Sequence, residues 1–596
     1  MLCAGIVIPS LFLGFTILSH VILVLVATLP LLFLIKKHGQ SGFKNIILSG
    51  NENTTINKKI FLLVVLPLTI LIAVLMSNHI LVSTENGGFA SGQSTYGDLN
   101  MHLGFITSIA EQGKFPPDYV FLSGYKLNYP FFVELLSSSM YLFGSSLRLA
   151  VLLPSYVLSF LLVLGFYILA FKITNKKAAA VLATIFFFLC GGFGFSYFLD
   201  GARENPETFT KIFTDYYHTP TNFNENNIRW ANSICDMIIP QRTTMAGWCI
   251  FLPCLWLLID ALKSYSRKSY VILGIFAGCL PMIHTHSFLA LGIICAVMFF
   301  AYLIKEKDRK NYIINWLIFG GITAILAVPQ LFFWTFQQTA ENSYSIEFHF
   351  NWVNSADPYI WFYIKNWGII ALFAIPAVIY ANKDNKKLFC GALGIVVIAE
   401  LVLFQPNEYD NNKLFFISYM ILTVLVSDWL MYVFEKLKNI KGRIYLAVLV
   451  IFLGTFSGVL TIGREFYSGG KYETFSKDMI EISEYIKGNT PSDAVFLTST
   501  THINPVTSLA GRNVYVGSSL YVYFHGLGDE YARRSGEIEK AYKGNAQELV
   551  VFCKKNNISY VYVGNYESTM LQPNMDEINK LEKIITIGTE TLYKIN

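Results

Sequence analysis

Residues 270–304 read YVILGIFAGCLPMIHTHSFLALGIICAVMFFAYLI, without one Asp, Glu, Lys or Arg. A helix of that length, rising about 1.5 Å per residue, reaches well past a hydrocarbon core of roughly 30 Å. The run therefore divides, and the place is marked by Pro281 and the polar His284-Thr285-His286. Ten further apolar runs lie at about 6–35, 60–82, 146–171, 178–199, 240–262, 311–336, 360–380, 388–404, 414–434 and 444–463. With 270–304 crossing twice, the chain has about twelve membrane passes, two of them short or re-entrant. The charges support the division. Loops 36–59, 172–177, 263–268, 305–310, 381–387 and 435–443 hold 22 Lys and Arg, whereas loops 83–145, 200–239, 337–359 and 405–412 hold 5. Short cytoplasmic loops concentrate basic residues, and these fall on one side only if 270–304 crosses twice. Both termini are then extracytoplasmic.

Composition agrees with a bilayer as solvent. Of the 596 residues 54% are apolar and 14% charged, with a mean hydropathy of +0.46. A soluble domain carries about 25% charged residues. The net charge of +5 sits in short loops rather than on one face, which excludes nucleic acid as a partner. Seven of the nine cysteines fall inside apolar runs, and the other two, Cys235 and Cys553, have no metal-ligand or redox spacing. The first run lacks a basic n-region and a small-residue cleavage site and is followed by Lys36 and Lys37, so it reads as a retained helix.

After residue 463 the pattern becomes that of a small soluble α/β domain, 464–596, on the outer side. Ala494–Thr498, Asn513–Val516 and Ser559–Val563 read as buried strands, Ser476–Lys487, Glu530–Tyr542 and Ala546–Lys555 as amphipathic helices, and Ile584–Ile595 as a closing hairpin. The fold class is a polytopic all-α membrane domain, 1–463, with an enlarged first outer loop at 83–145 and this α/β domain appended.

That first loop is longer than a connector needs. It carries Asp98 just before Leu99, Leu103, Ile106 and Ile109, whose spacing predicts a short helix lying at the membrane surface. Asp98 is placed to cap that helix, to accept a proton or to hold a metal, and capping and catalysis are compatible. His102, one turn on, shares its face. Arg242, after Pro240-Gln241, lies just inside a span, where charge is costly; it snorkels outward or faces a cavity or a phosphate near a helix N-terminus. His284 and His286, at i and i+2, do not share a helical face and form a weak metal signal beside the alternative of polar residues packing the break. Glu400 is a lone carboxylate in an apolar run, and Asp410-Asn411-Asn412-Lys413 opens another span, with Asp410 and Lys413 spaced to pair. Trp230, Trp334, Trp352 and Trp361 read as interfacial belt residues. No P-loop, nucleophile elbow, HExxH or dinucleotide fingerprint is present.

The ensemble resembles the GT-C class of membrane glycosyltransferases. More narrowly, Gly97-Asp98-Leu99 to His102, Phe115-Pro116-Pro117, Leu127-Asn128-Tyr129-Pro130, Pro240-Gln241-Arg242, His284 to His286 and Asp410 to Lys413 are similar to a prokaryotic membrane-protein family labelled 6-pyruvoyl-tetrahydropterin synthase-related. That label implies no pterin chemistry here. The resemblance implies transfer of a sugar from a polyprenyl-phosphate donor to an envelope glycan, lipid or protein on the outer face of the plasma membrane. Asp98 matches the first-loop acid that activates an acceptor hydroxyl or binds a metal; with no Asp-x-Asp pair here, a divalent cation, Mg or Mn, stays an open cofactor. From charge and depth, Arg242, with Lys413 or His286, is expected to neutralise the donor phosphate. His102, Asn128, Tyr129, Gln241, His284, Asp410 and Asn411 are expected to line the substrate cavity. A secondary transporter or lipid-linked-sugar flippase, and a non-catalytic envelope assembly protein, are the alternatives; the large asymmetric first loop weighs against a midplane transporter site.

Overall fold

The computed structural model describes residues 2–29, 32, 36, 58–215, 218–335, 346–467 and 471–596. Most of the basic loop 36–59 and the stretch 337–345 of the loop 337–359 lie outside the described residues.

Among the described residues seven helices are long and apolar enough to cross a membrane: Lys58–His79, Leu147–Thr174, Arg242–Ser264, Thr285–Leu303, Arg309–Thr335, Glu408–Asn439 and Arg443–Phe466. The expected count of about twelve passes is thus larger than the number of spanning-length helices. The difference lies in runs that form shorter helices and in one, Lys383–Leu401, that carries five charged residues. The 360–380 run forms three short helices, Tyr359–Trp367, Ile369–Leu372 and Ala374–Tyr380, interrupted at Gly368, whose φ of +59° only glycine adopts at no steric cost. The run at 178–199 is helical over Lys177–Phe188, and that at 388–404 over Lys383–Leu401. The decisive run divides where expected, into Arg267–Gly278 and Thr285–Leu303, and a turn closed by the bond from His284 N to Leu280 O (2.8 Å) joins the two.

Basic loops meet at one end of this bundle. Lys172 pairs with Asp260 at 3.0 Å and Lys176 with Asp428 at 2.9 Å, while Arg267 bonds Asn315 at 3.3 Å and Tyr302 bonds Asp384 at 2.8 Å. Trp230, Trp334 and Trp352, expected at an interface, are core residues, at most 4% exposed, whereas Trp361 is 47% exposed. Each of the three packs against other rings instead, Trp230 stacked on Phe416 at 4.2 Å and Trp334 edge-on to Phe131 at 5.9 Å.

Three strands, β1 (Val82–Ser83), β2 (Phe89–Gly92) and β3 (Lys471–Phe475), pair antiparallel in the order β1-β2-β3 and so tie the first long loop to the chain beyond the last span. The C-terminal sheet contains β4 (Val495–Leu497), β5 (Asn513–Val514), β6 (Tyr560–Val563), β7 (Glu582–Ile587) and β8 (Glu590–Lys594), in the order β5-β4-β6-β8-β7. β4 runs parallel to β5 and β6, and the hairpin β7–β8 closes the sheet antiparallel on β6. Helices Lys477–Asn489, Gly528–Lys543 and Ala546–Lys555 accompany it, the last started by a capping box of Asn545 and Glu548.

The helix Leu99–Gln112 does not lie on a membrane surface. Every residue from Leu99 to Ala110 is buried, because its polar face is taken up by the segment before β5. Thr107 Oγ1 donates to Thr507 O (3.2 Å), Ser508 Oγ to Asn100 O (3.0 Å), and Gln112 Nε2 to Gly511 O (2.9 Å). Beside them Val514 N bonds Val120 O (3.0 Å) and Gly517 N bonds Phe121 O (2.7 Å). Gly511, at φ +65°, has no room for a Cβ, which would sit 2.7 Å from the Thr107 carbonyl carbon. Gly511→Ala should therefore cost on the order of 1–3 kcal/mol from the backbone conformation alone, read as a lowered thermal midpoint.

Candidate functional site

Asp98 occupies the cap position of Leu99–Gln112, yet its side chain makes no capping bond. Its backbone, at φ −86° and ψ −28°, is helical rather than extended, and its main-chain carbonyl accepts from Met101 N (3.1 Å) and His102 N (3.3 Å). A capping side chain needs a non-helical backbone at that position. Mere capping is thus excluded, and among the described residues the carboxylate has no hydrogen-bond or ion-pair partner. Burial pushes its pKa up; His102 and Lys413 pull against this and Asp410 reinforces it, and the net shift is upward.

Behind Asp98 lies a buried polar chain. His102 Nδ1 bonds Glu134 Oε1 at 2.8 Å, which leaves Nε2 on the other side of the ring. Glu134, on the short helix Glu134–Leu142, is completely buried and binds the Arg242 guanidinium through its second oxygen. Arg242 also donates to Ser137 Oγ at 2.6 Å. Burial acts to raise the Glu134 pKa, but Arg242 and then His102 outweigh it, holding the carboxyl below the usual carboxylate range. Arg242 is 2% exposed, so it does not snorkel. Its charge is committed to Glu134, and a donor phosphate would have to displace that carboxylate.

Lys413 and Asp410 form the expected pair, Nζ to Oδ2 at 3.1 Å, at the start of their helix. Both act electrostatically on Asp98, His286 and His525. Tyr129 joins them: its hydroxyl lies 3.5 Å from Thr243 Oγ1, Asp98 acts on it, and its ring stacks on His525 at 4.6 Å. The Oδ1 atom of Asn128, next to Tyr129, is buried without a partner. Gln241 accepts from Thr244 Oγ1 at 3.0 Å. His284 is 3% exposed and bonded to Ser287 (2.7 Å) and Thr244 (3.3 Å), so it packs the break, while the half-buried His286 has its ring 5.5 Å away. Asn411, expected in the cavity, is fully buried and spends its amide on Ala399 O and Val402 O, each at 2.8 Å, tying two spans together. Glu400 bonds Tyr363 and accepts from Asn351 N at 3.0 Å.

The donor set does not suit a divalent metal. Among the described residues no three His, Cys, Asp or Glu side chains are disposed to hold one, and the acid closest in effect to Asp98, Asp410, is occupied by Lys413.

Sequence reasoning missed three residues. Glu134 carried a usable signal, a lone carboxylate inside the apolar stretch Phe131–Leu136. Tyr521 and His525 carried none, since only the folded chain brings them to Asp98: Tyr521 Oη donates to Gly97 O at 2.7 Å, and His525 Nδ1 bonds Tyr119 Oη at 2.8 Å.

The fold is similar to that of an archaeal oligosaccharyltransferase. The enzyme of Archaeoglobus fulgidus, tethered with an acceptor peptide containing the NVT sequon, matches with a TM-score of 0.51 at 13% identity, over 90% of this chain and 74% of that one. The same enzyme in complex with Zn and sulfate gives 0.48 at 14% identity, over 89% and 73% of the two chains. ArnT from Cupriavidus metallidurans bound to undecaprenyl phosphate gives 0.47 at 10% identity, over 91% and 99%. No family model and no curated protein matches the sequence. The 0.51 match, at 13% identity, shows a likeness of fold alone, and the chemistry rests on the residues above.

Proposed function

We propose that this chain is a GT-C glycosyltransferase that moves a sugar from a polyprenyl-phosphate donor to an acceptor hydroxyl or amide of an envelope glycan, lipid or protein. The observation that carries this reading is the unpartnered Asp98 carboxylate, set at the start of a buried helix beside Lys413, in a fold similar to an oligosaccharyltransferase. Asp98, its basicity raised by burial, accepts the proton of the attacking group. The new bond forms at the anomeric carbon as the bond from that carbon to the phosphate oxygen breaks, and its electron pair leaves with the polyprenyl phosphate. Lys413, exchanging its bond to Asp410 for one to the phosphate, stabilises the charge growing on that oxygen. Arg242 takes a different role from the one its charge suggested: it holds Glu134, which orients His102 toward Asp98.

The same reading places the chain in the plasma membrane with the Asp98 end of the bundle, both termini and residues 464–596 outside the cell, opposite the basic loops. The narrower kinship with the prokaryotic family named above rests on the order of the quoted motifs. Assaying purified protein for sugar release from a panel of polyprenyl-phosphate donors tests the reading. Transfer by the wild type and none by Asp98→Asn is expected; donor binding with no turnover by either protein would sink it and favour a flippase.

Lys413→Met should weaken donor binding by about tenfold or more, the loss of one charge-assisted hydrogen bond, measured as the Kd for undecaprenyl phosphate. An unchanged Kd would remove Lys413 from the donor site.

A further inference from the structure

The segment 518–527, between β5 and the helix Gly528–Lys543, reaches out of the C-terminal sheet to Gly97, Tyr119 and Tyr129 of the first long loop. Tyr521 is 2% exposed, donates its hydroxyl to the carbonyl of Gly97, the residue before Asp98, and lies close enough for the Asp98 charge to act on it. Four residues on, His525 stacks on Tyr129 at 4.6 Å and bonds Tyr119 at 2.8 Å, with Lys413, Asp410 and His102 as the charged or titratable groups acting on it. From the other side, His502 sets its ring edge-on to Tyr96 at 4.9 Å, and Ser508 holds the Asn100 carbonyl at 3.0 Å. The backbone from 96 to 100 is thus gripped on both flanks of Asp98 by residues that follow the last span.

We propose that the C-terminal sheet and its helices are part of the reaction site: Tyr521 and His525 act as positioning residues, Tyr521 fixing the Gly97–Asp98 backbone and His525 closing one wall of the space the acceptor must enter. This rests on Asp98 being the reacting carboxylate. A domain that merely covered the site would need no bond to the residue before that carboxylate. His525 works as a neutral ring, since burial draws its pKa down to about 3, with Lys413 and His102 acting the same way against Asp410. Its contribution is therefore shape and hydrogen bonding rather than charge.

The test needs no turnover. Asp98→Cys is introduced into the full chain, and the rate at which iodoacetamide alkylates residue 98 is read by peptide mass spectrometry across a pH series. Tyr521→Phe in that background keeps the ring and removes only the bond to Gly97, and His525→Ala opens the wall. Each should speed alkylation by about two- to tenfold, the weight of one hydrogen bond, with at most a small drop in thermal midpoint for Tyr521→Phe. His525→Ala should leave the pH midpoint of labelling in place, because the ring it removes is neutral. Rates equal to those of Asp98→Cys alone in both variants would overturn the proposal. Loss of sugar transfer cannot be confused with this result, since labelling reports the loop whether or not Asp98 is catalytic. Where transfer is measured, Tyr521→Phe should lower kcat with the donor KM unchanged.

Discussion

Asp98→Asn should give a folded protein whose transfer rate falls at least about 10²-fold, within the 10²- to 10⁴-fold range of general acid–base catalysis. The isosteric amide keeps the shape of the side chain and cannot accept the proton. Its effect on stability should have the opposite sign from its effect on activity. The folded-state pKa of Asp98 is raised above its unfolded value, so the group contributes most to stability below the unfolded pKa, and that contribution is lost as pH rises through the folded one. Ionising Asp98 leaves a carboxylate with no hydrogen-bond partner among the described residues, and Asn removes that cost. The variant should melt at or above the wild-type temperature at pH 7, with the advantage vanishing near pH 4. A variant that melted lower at pH 7 would mean that Asp98 is structural. For the wild type, the same pKa direction predicts that transfer rises with pH through a midpoint above the usual carboxylate range.

Arg242→Met carries the other large effect. Arg242 and Glu134 are both buried, and removing one member of such a pair leaves an uncompensated charge, at a cost of about 3–5 kcal/mol. Unfolding in detergent should show nearly all of that loss. Adding Glu134→Gln should recover most of it, because the amide is neutral and still offers an oxygen to His102 Nδ1. Failure of the double variant to regain stability would show that the ion pair itself, rather than the orphaned carboxylate, matters. The double variant also separates the two roles considered for Arg242: a positioning role leaves binding of undecaprenyl phosphate intact, whereas a phosphate ligand would take that binding away.

These residues differ in how far their roles could be read before folding. The break in 270–304 was legible because proline and paired histidines interrupt an otherwise uncharged run. β4, β6 and the closing hairpin were legible because short apolar stretches stand between turn residues. The helix after Asp98 was legible as a helix and misplaced as to surroundings: Leu99, Leu103 and Ile106 mark one apolar face, but nothing in Asn100, Thr107 or Ser108 says that residues near 508 bury the opposite face. The tryptophans were misread for a related reason, since an indole in a ring-packed core and one at an interface have the same sequence context. Asp98 could be found from its position at a helix start in an oversized loop. Glu134 required the reading applied to Glu400, and Tyr521 and His525 required the tertiary structure, because their partners come from a loop before the second of the spanning-length helices.

Thr107 and Ser508, bonded across the face of the Asp98 helix, stand 401 residues apart in the chain. At translation rates of about 5–20 residues per second, that separation is roughly 20–80 s during which the first loop exists without its partner. The surroundings of Asp98 are therefore assembled last, after the spanning-length helices between these two segments have been made. A ribosome that stalls or a message that ends early leaves a product in which the first loop lacks its partner near residue 508.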